Sequence, residues 1–400
     1  MLVLLVILLC LLPCQVSGAT TNKDEMPIIA FGGVPYWCTT DEHFRTFSDC
    51  GFTVSIHPYN NVETLVKACH IANKYGVQVM GQCPEMTKEP MRVASLLKHE
   101  PGFFGYMMQD EPSVPEIRER QREIERLRQT DSTHAFYINL FPLYNPDWIT
   151  PSTKAKDYPD YLQALTSTGC QQISFDFYPI TTAGVRPTWF QNLEMVRQES
   201  IRTGKPFWGF VLSVPHEVPF MADTYYPTPT LAALRLQVYA NLAYGAQAIQ
   251  YFTYWTPNSN NYHYHDAPVD KEGRKTKTYA VVQQMNRELK AIAPLFYGAK
   301  VTSVRHMGKR LSQGTTRLSS VPQNLQKFKI TGKMGAIVSE LEKDGHSYLA
   351  IVNKSHKDQL KVNIKALNRL PCRITKQLEE ESLRSSYAIA PGDILIIKLR

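Results

Sequence analysis

Apolar residues recur along this chain in two rhythms. Between residues 28 and 254, eight short apolar runs alternate with longer segments patterned for helix: Ile28–Val34, Phe52–His57, Val77–Gln82, Phe103–Gln109, Ala135–Phe141, Gln172–Tyr178, Phe207–Leu212 and Ala248–Tyr254. Short runs rich in β-branched and aromatic residues read as buried strands. The segments between them behave as outer helices should. Val62–Tyr75 sets Val62, Leu65, Val66, Cys69 and Ala72 on roughly one helical face. Pro115–Gln129 surrounds Ile117, Ile124 and Leu127 with Arg and Glu, which reads as a solvated helix face carrying i,i+4 ion pairs. Strand and helix alternating eight times predicts an α/β fold, the (β/α)₈ or TIM barrel.

After the eighth run comes a polar, aromatic loop from Thr256 to Asp270, and then a helical pattern from Thr278 to Ala293 that closes the barrel. From about Gly298 the rhythm changes. Short alternating runs, Ala336–Leu341, Ser347–Asn353 and Asp393–Leu399, are separated by the turn pairs Asp344-Gly345 and Pro391-Gly392. They predict a small C-terminal antiparallel β-sandwich domain. The expected organisation is a leader over 1–19, a barrel over 20–298 and a sandwich over 299–400, a division that suits 400 residues.

The leader is expected because Met1–Leu12 is almost purely apolar and is followed by the small residues Val16-Ser17-Gly18-Ala19. It reads as a signal peptide, although no Lys or Arg precedes it, and it is too short for a transmembrane span. Export to the periplasm or cell surface follows. Cys10 and Cys14 loosely resemble a lipoprotein signal, which implies a lipid anchor, but Pro13 sits badly in such a site. The net charge of +8 is scattered and not gathered into a basic stripe, so no nucleic-acid partner is expected. Cys38, Cys50, Cys69, Cys83, Cys170 and Cys372 show no C-x-x-C spacing and read as single buried thiols. No phosphate-binding glycine loop and no Gly-x-Ser-x-Gly elbow occurs, and no cofactor is expected.

In a barrel, working groups sit where strands end. Here those ends are polar and aromatic: Tyr36-Trp37, His57-Pro58-Tyr59, Gln82, Gln109-Asp110-Glu111-Pro112, Asn139, Asp176-Phe177-Tyr178 and Tyr251 to Trp255. Sugar rings present apolar C–H faces edged by hydroxyls, so their sites combine flat aromatic walls with polar side chains. Tyr36, Trp37, Tyr59, Tyr178, Tyr251, Tyr254 and Trp255 supply candidate walls; His57, Gln82, Asn139, His216, His265 and Asp266 supply candidate partners for hydroxyls. About half of these aromatics should face the site, since strand residues alternate between barrel interior and helix layer. Tyr262-His263-Tyr264-His265-Asp266 lacks a third well-spaced ligand, so no metal is expected there.

The segment Gly105-Tyr106-Met107-Met108-Gln109-Asp110-Glu111-Pro112 resembles the fourth strand of clan A barrel glycosidases, which include the microbial β-galactosidases. The resemblance implies that Glu111 is the acid that protonates the leaving glycosidic oxygen. Asp110 stands where that clan commonly has Asn. The clan's nucleophile is a Glu ending the seventh strand, but this chain reads Phe207-Trp208-Gly209-Phe210-Val211-Leu212-Ser213 there. Two substitutes are available as nucleophile or base: Asp176, which is favoured because a strand end positions a group firmly, and Glu217, which follows His216 in a loop. Carboxyl groups about 5 Å apart would retain anomeric configuration, and roughly 6.5 to 9.5 Å apart would invert it.

Tyr226-Pro227-Thr228-Pro229-Thr230, Leu234 to Tyr239 and Gly245 to Trp255, with the Asp-Glu-Pro motif and the terminal Pro391-Gly392-Asp393 strand, are similar to exported glycosidase-like proteins of gut Bacteroidetes. That similarity implies hydrolysis of an oligo- or polysaccharide substrate outside the inner membrane. The alternative is a non-catalytic carbohydrate-binding protein on a degenerate glycosidase barrel, since a fold supports many functions.

Overall fold

In the computed structural model, residues 25–144, 151–219 and 224–399 are described. The apolar leader expected over residues 1–19 lies outside them. Among the described residues no helix is long and apolar enough to cross a membrane.

Eight parallel strands close into a barrel in chain order: β1 (Ile28–Phe31), β2 (Val54–Pro58), β3 (Gln78–Gln82), β4 (Phe103–Asp110), β5 (Ala135–Leu140), β6 (Ile173–Phe175), β7 (Phe207–Leu212) and β8 (Ala248–Phe252). Closure comes from β8 pairing with β1, Ile28 opposite Ile249 and Phe31 opposite Phe252. Around them run α1 (Asp41–Asp49), α2 (Val62–Asn73), α3 (Pro90–Leu97), α4 (Val114–Arg128), α5 (Tyr158–Thr166), α6 (Trp189–Thr203), α7 (Leu231–Tyr244) and α8 (Lys277–Phe296). The expected (β/α)₈ architecture is therefore present.

Local chemistry explains where these helices start. Asn61 and Thr64 form a capping box at the head of α2, and Ser113 with Glu116 forms another at the head of α4. The charged face of α4 is solvated at Arg118, Glu119, Arg122, Glu125 and Arg126, whereas Arg120 and Glu123 are half-buried and paired at 2.6 Å. By contrast α7 is apolar nearly all round. It lies against β7 on one side and the C-terminal sheet on the other, so a single apolar stripe would not suffice.

Strand alternation divides the barrel core in two. Ile29, Val54, Ile56, Met80, Met107, Tyr137, Trp208 and Ala248 pack inside the barrel, whereas residues such as Ala30, Val79, Phe136, Ile173, Val211 and Tyr251 face the helices. The mouth at the C-terminal ends of the strands carries a small antiparallel flap in which His216–Glu217 pairs with both Tyr225–Tyr226 and His263–Tyr264.

The C-terminal region is an antiparallel sandwich. A six-stranded sheet is built from β9 (Lys300–Met307), β11 (Ala336–Lys343), β12 (His346–Asn353), β14 (Cys372–Ile374), β15 (Glu380–Ser382) and β17 (Ile394–Lys398). Facing it are β10 (Leu325–Thr331), β13 (Leu360–Ala366) and β16 (Ser386–Ile389). Asp344 and Gly345 both take positive φ, 50° and 76°, as a two-residue hairpin turn between β11 and β12 requires. The large sheet is buried on both sides. Val338, Leu349, Ile351 and Ile397 pack toward the small sheet, and Ile337, Ala350, Val352 and Ile396 toward the barrel. At Gly392 any Cβ would fall 2.1 Å from the Ala232 carbonyl of α7, so the turn docks only as glycine. Ions reinforce the seam: Glu288 of α8 binds Arg235 of α7 (2.5 Å) and Lys376 of the sandwich (2.7 Å), and Lys376 also meets Asp393 at 2.7 Å. Among the described residues the six cysteines are unpaired; Cys50, Cys69, Cys83 and Cys170 are buried, and Cys38 and Cys372 are half-buried.

Candidate active site

The site is built where β4, β5 and β6 end. Between Met107 and Gln109 the pairing of β4 with β5 slips by one residue, so that Met107 lies opposite Tyr137 and Gln109 opposite Ile138. This bulge lets both Met107 and Asp110 face the barrel axis, three residues apart, where regular alternation would turn one of them outward. Asp110 stands level with Asn139 of β5. Glu111 follows at φ 47°, in the left-handed region that few non-glycine residues adopt. Its N–H donates to the Asn139 carbonyl at 2.9 Å, and its carboxyl comes within hydrogen-bonding reach of Asp176 just past β6.

A directed chain of hydrogen bonds holds these groups from below. The Tyr137 hydroxyl donates to Gln250 Oε1 (2.8 Å), Gln250 Nε2 donates to Ser174 Oγ (2.9 Å), and Ser174 Oγ donates to Asn139 Oδ1 (2.9 Å). With its oxygen so occupied, the Asn139 amide must present Nδ2 to the carboxylates, and it donates to Asp110 Oδ1 at 3.0 Å and Asp176 Oδ1 at 3.3 Å. Tyr178 also hydrogen-bonds Asp176 through its side chain, and its ring stacks on Phe252 at 5.4 Å.

Three carboxyl groups so close cannot all ionise freely. Burial drives the Glu111 carboxyl well above the usual range, and the charges of Asp176 and Asp110 and the hydrogen bond to Asp176 add to the rise. Asp176, 7% exposed, is pushed up to about 7 by burial and by the Asp110 charge, against hydrogen bonds from Tyr178 and Asn139. Burial of the Asp110 carboxyl raises it to about 6, and the hydrogen bond from Asn139 opposes the rise. Its side chain keeps contact with solvent, so it is the group of the three most readily ionised. The proton shared between Glu111 and Asp176 therefore rests on Glu111, the state a general acid needs near neutrality.

Among the residues anticipated from sequence, the fold brings together Glu111, Asp176, Asp110, Asn139 and Tyr178. Gln82 ends β3 at the mouth, half-buried. Tyr36 and His57 join Trp37 and Tyr59 in an aromatic group on the β1–β2 side: Tyr36 and Trp37 meet edge-on at 4.8 Å, and Trp37 is 57% exposed. His216 is buried in the flap, stacked on Tyr226 at 4.4 Å, with burial lowering its proton affinity to about 4. Glu217 is exposed on the flap's outer edge beside His263 (3.3 Å), so it does not face Glu111. His265 and Asp266 pair with each other at 3.0 Å in an exposed loop, also apart from the carboxylates. Three of the expected aromatics lie away from the carboxylates: Tyr254 is 1% exposed and packs on Phe47 at 4.8 Å. Tyr251 points outward into the helix layer against Phe52 at 5.2 Å, because it alternates with the inward Gln250 and Phe252. Trp255 is 6% exposed and packs on His43 of α1 at 5.3 Å, below the loop that follows β8.

Sequence reasoning missed Tyr137, Ser174 and Gln250, the floor of the site. The signal for Gln250 was present as a lone amide inside the apolar run Ala248-Ile249-Gln250-Tyr251-Phe252. Tyr262 and Tyr264 of the flap were also missed as site neighbours, though both feel the Glu111 and Asp176 charges. Among the described residues no three potential ligands form a metal-binding group. A separate cleft of about 1030 Å³ opens at the opposite end of the barrel, lined by residues such as Met26, Gln78, Phe104, His134 and Trp208. Among the described residues Glu25 is the sole carboxylate lining it, and that end of such barrels serves stability.

Residues 135–292 match the glycoside hydrolase family 42 profile, described as β-galactosidase. No curated protein matches the chain by sequence. Among solved structures, the β-galactosidase of Bacillus circulans sp. alkalophilus is similar with a TM-score of 0.64 at 10% identity, over 94% of this chain and 100% of that one. A glycoside hydrolase family 5 protein from Bacteroides vulgatus gives 0.56 at 12% identity, over 93% and 88%. The β-galactosidase of Marinomonas ef1 gives 0.49 at 10% identity over 67% of this chain, which spans 60% of that enzyme's length. At such identities the likeness of structures is one of fold. The chain is thus a (β/α)₈ barrel with a C-terminal β-sandwich, similar in fold to barrel glycosidases and similar in sequence across residues 135–292 to the β-galactosidase family.

Proposed function

We propose that the protein hydrolyses O-glycosidic bonds of an oligo- or polysaccharide, with Glu111 as the general acid. The observation that carries this reading is the placement of Glu111: a largely buried carboxyl at the C-terminal mouth beside Asp176 and Asp110, where burial first and these two charges second favour its protonated form. It donates its proton to the leaving oxygen as the anomeric carbon takes on oxocarbenium character. Asp176, held in place by Asn139, stands beside Glu111 and favours its protonated form. The exposed Trp37 with Tyr36 and His57 provides a platform for sugar rings outside the reacting centre. Export, by way of the apolar N-terminal run, would bring the enzyme to such substrates, and a lipid anchor at the leader remains part of this proposal.

One feature favours the binding-protein alternative: β7 ends in Leu212-Ser213, without the carboxylate of the barrel glycosidases it resembles. Hydrolysis separates the two readings. Purified protein is assayed on plant and host glycans and on aryl glycosides, beside Glu111→Gln. Sugar release that falls by about 10²-fold or more in the variant supports the enzyme, the usual weight of a general acid. Binding without release in the wild type overturns it.

A further inference from the structure

A double displacement at an anomeric centre needs its acid and its nucleophile about 5 Å apart, with the reacting carbon between them. Glu111 and Asp176 are instead in hydrogen-bonding contact, and Asn139 binds Asp110 and Asp176 with the same Nδ2. The three carboxyl groups form one contiguous patch on the β4–β6 side of the mouth. Inversion fares no better, since the base must then stand roughly 6.5 to 9.5 Å from the acid to admit water.

Among the described residues, no other strand of the barrel ends in a carboxylate; Glu85, just past the end of β3, lies beside Cys83. Phe31 ends β1, Gln82 ends β3, Leu212 ends β7 and Phe252 ends β8. Glu217 and Asp266 are exposed and engaged with His263 and His265. Resting on the glycosidase reading, we infer that the substrate brings its own nucleophile and that the sugar at the cleavage point carries a 2-acetamido group, as in N-acetylhexosaminides.

In this scheme the Glu111 proton passes to the glycosidic oxygen as the C1–O bond breaks. The acetamido carbonyl oxygen attacks C1, forming an oxazolinium ion and releasing the leaving alcohol. Asp110, ionised and open to the mouth, accepts the acetamide N–H, which aims the carbonyl at C1 and balances the positive charge that develops on the ring. Asn139 occupies Asp110 Oδ1 and leaves the other oxygen for this contact. Tyr178 and Phe252, stacked beside the patch and both half-buried, give the acetamide methyl an apolar wall. Water then adds to C1, Glu111 takes its proton, and the oxazolinium reopens to the acetamide. Configuration at C1 is retained, and no atom comes from the enzyme.

The test compares wild-type hydrolysis of 4-nitrophenyl 2-acetamido-2-deoxy glycosides of the gluco, galacto and manno series, both anomers, with that of the parent 2-hydroxy glycosides. The expectation is a kcat/KM preference of about 10³-fold or more for the acetamido compounds, given what a tethered nucleophile contributes. Replacing acetyl by mono-, di- and trifluoroacetyl should lower kcat stepwise, since fluorine weakens the carbonyl oxygen as a nucleophile. Asp110→Asn should lose acetamido hydrolysis, and the fluorinated series on the wild type decides the question even if that variant fails to fold. Glu111-dependent cleavage of 2-hydroxy glycosides with equal or greater efficiency, or a flat response to fluorination, overturns the inference and leaves the glycosidase reading standing. Failure to cleave any substrate of either kind, or any glycan, overturns both.

Discussion

Asp176→Asn should make the protein more stable at alkaline pH and less dependent on pH. Asp176 is 7% exposed, and its carboxyl is raised from 3.8 to about 7 by burial and by the Asp110 charge. In the unfolded chain it ionises near the ordinary value of about 4. Between these limits the folded state holds the proton and the unfolded state has lost it. Stability is therefore full below pH about 4 and falls as pH rises through about 7. At about 1.4 kcal/mol per pH unit, the span sets a ceiling of about 4 kcal/mol. Because the proton is shared with Glu111, a difference of about 2 to 3 kcal/mol is the reasonable expectation. Asparagine preserves the contacts, since its carbonyl accepts from Asn139 and Tyr178 and its amide donates to Glu111. Urea denaturation followed by tryptophan fluorescence at pH 4, 6 and 8 measures the effect. Wild type and variant should be close at pH 4 and separate by about 2 to 3 kcal/mol in favour of the variant at pH 8. Parallel curves across that range, or a variant less stable at pH 8, would refute the argument that burial strains this carboxyl cluster.

Asn139→Ala removes the donor that lowers both Asp110 and Asp176, so the acidic limb of the kcat profile should move to higher pH and kcat should fall about 10- to 100-fold, with KM changed less. An unmoved pH profile would mean that Asn139 acts only in packing. Trp37→Ala should raise KM for long glycans and leave kcat on short aryl glycosides unchanged, with stability altered by no more than about 0.5 kcal/mol because the ring is 57% exposed. Glu288→Gln should destabilise the protein at pH 7 by about 2 kcal/mol, because hydrogen bonds from Arg235, Lys376 and Tyr239 hold this carboxyl down to about 2. That stability is present above the ordinary carboxylate value and is lost as pH falls toward 2, so the gap between wild type and variant, measured by denaturation, should close in acid.

Along the chain, the alternation of apolar runs with amphipathic segments was enough to specify the barrel, because each strand must bury both faces and each outer helix only one. Asp344-Gly345 likewise announced the hairpin between β11 and β12, since a two-residue turn needs positive φ at both positions. Glu111 was legible as a chemical group from the polar end of an apolar strand. Other features lay beyond any reading of spacing. The bulge at Met108 and the left-handed Glu111 decide which way three side chains point, and both depend on pairing with β5. Tyr251 and Trp255 look like sugar-binding aromatics in the sequence, yet one-residue alternation and a covering loop bury them against Phe52 and His43. Whether Asp176 faces Glu111 or sits beside it is a matter of the stagger between β4, β5 and β6, strands separated by whole helices in the chain. Sequence fixes which groups are available, because composition and periodicity are local; only closure of the barrel brings Asp110, Glu111, Asn139 and Asp176 into one hydrogen-bonded patch, because their distances are set by contacts between residues far apart in the chain.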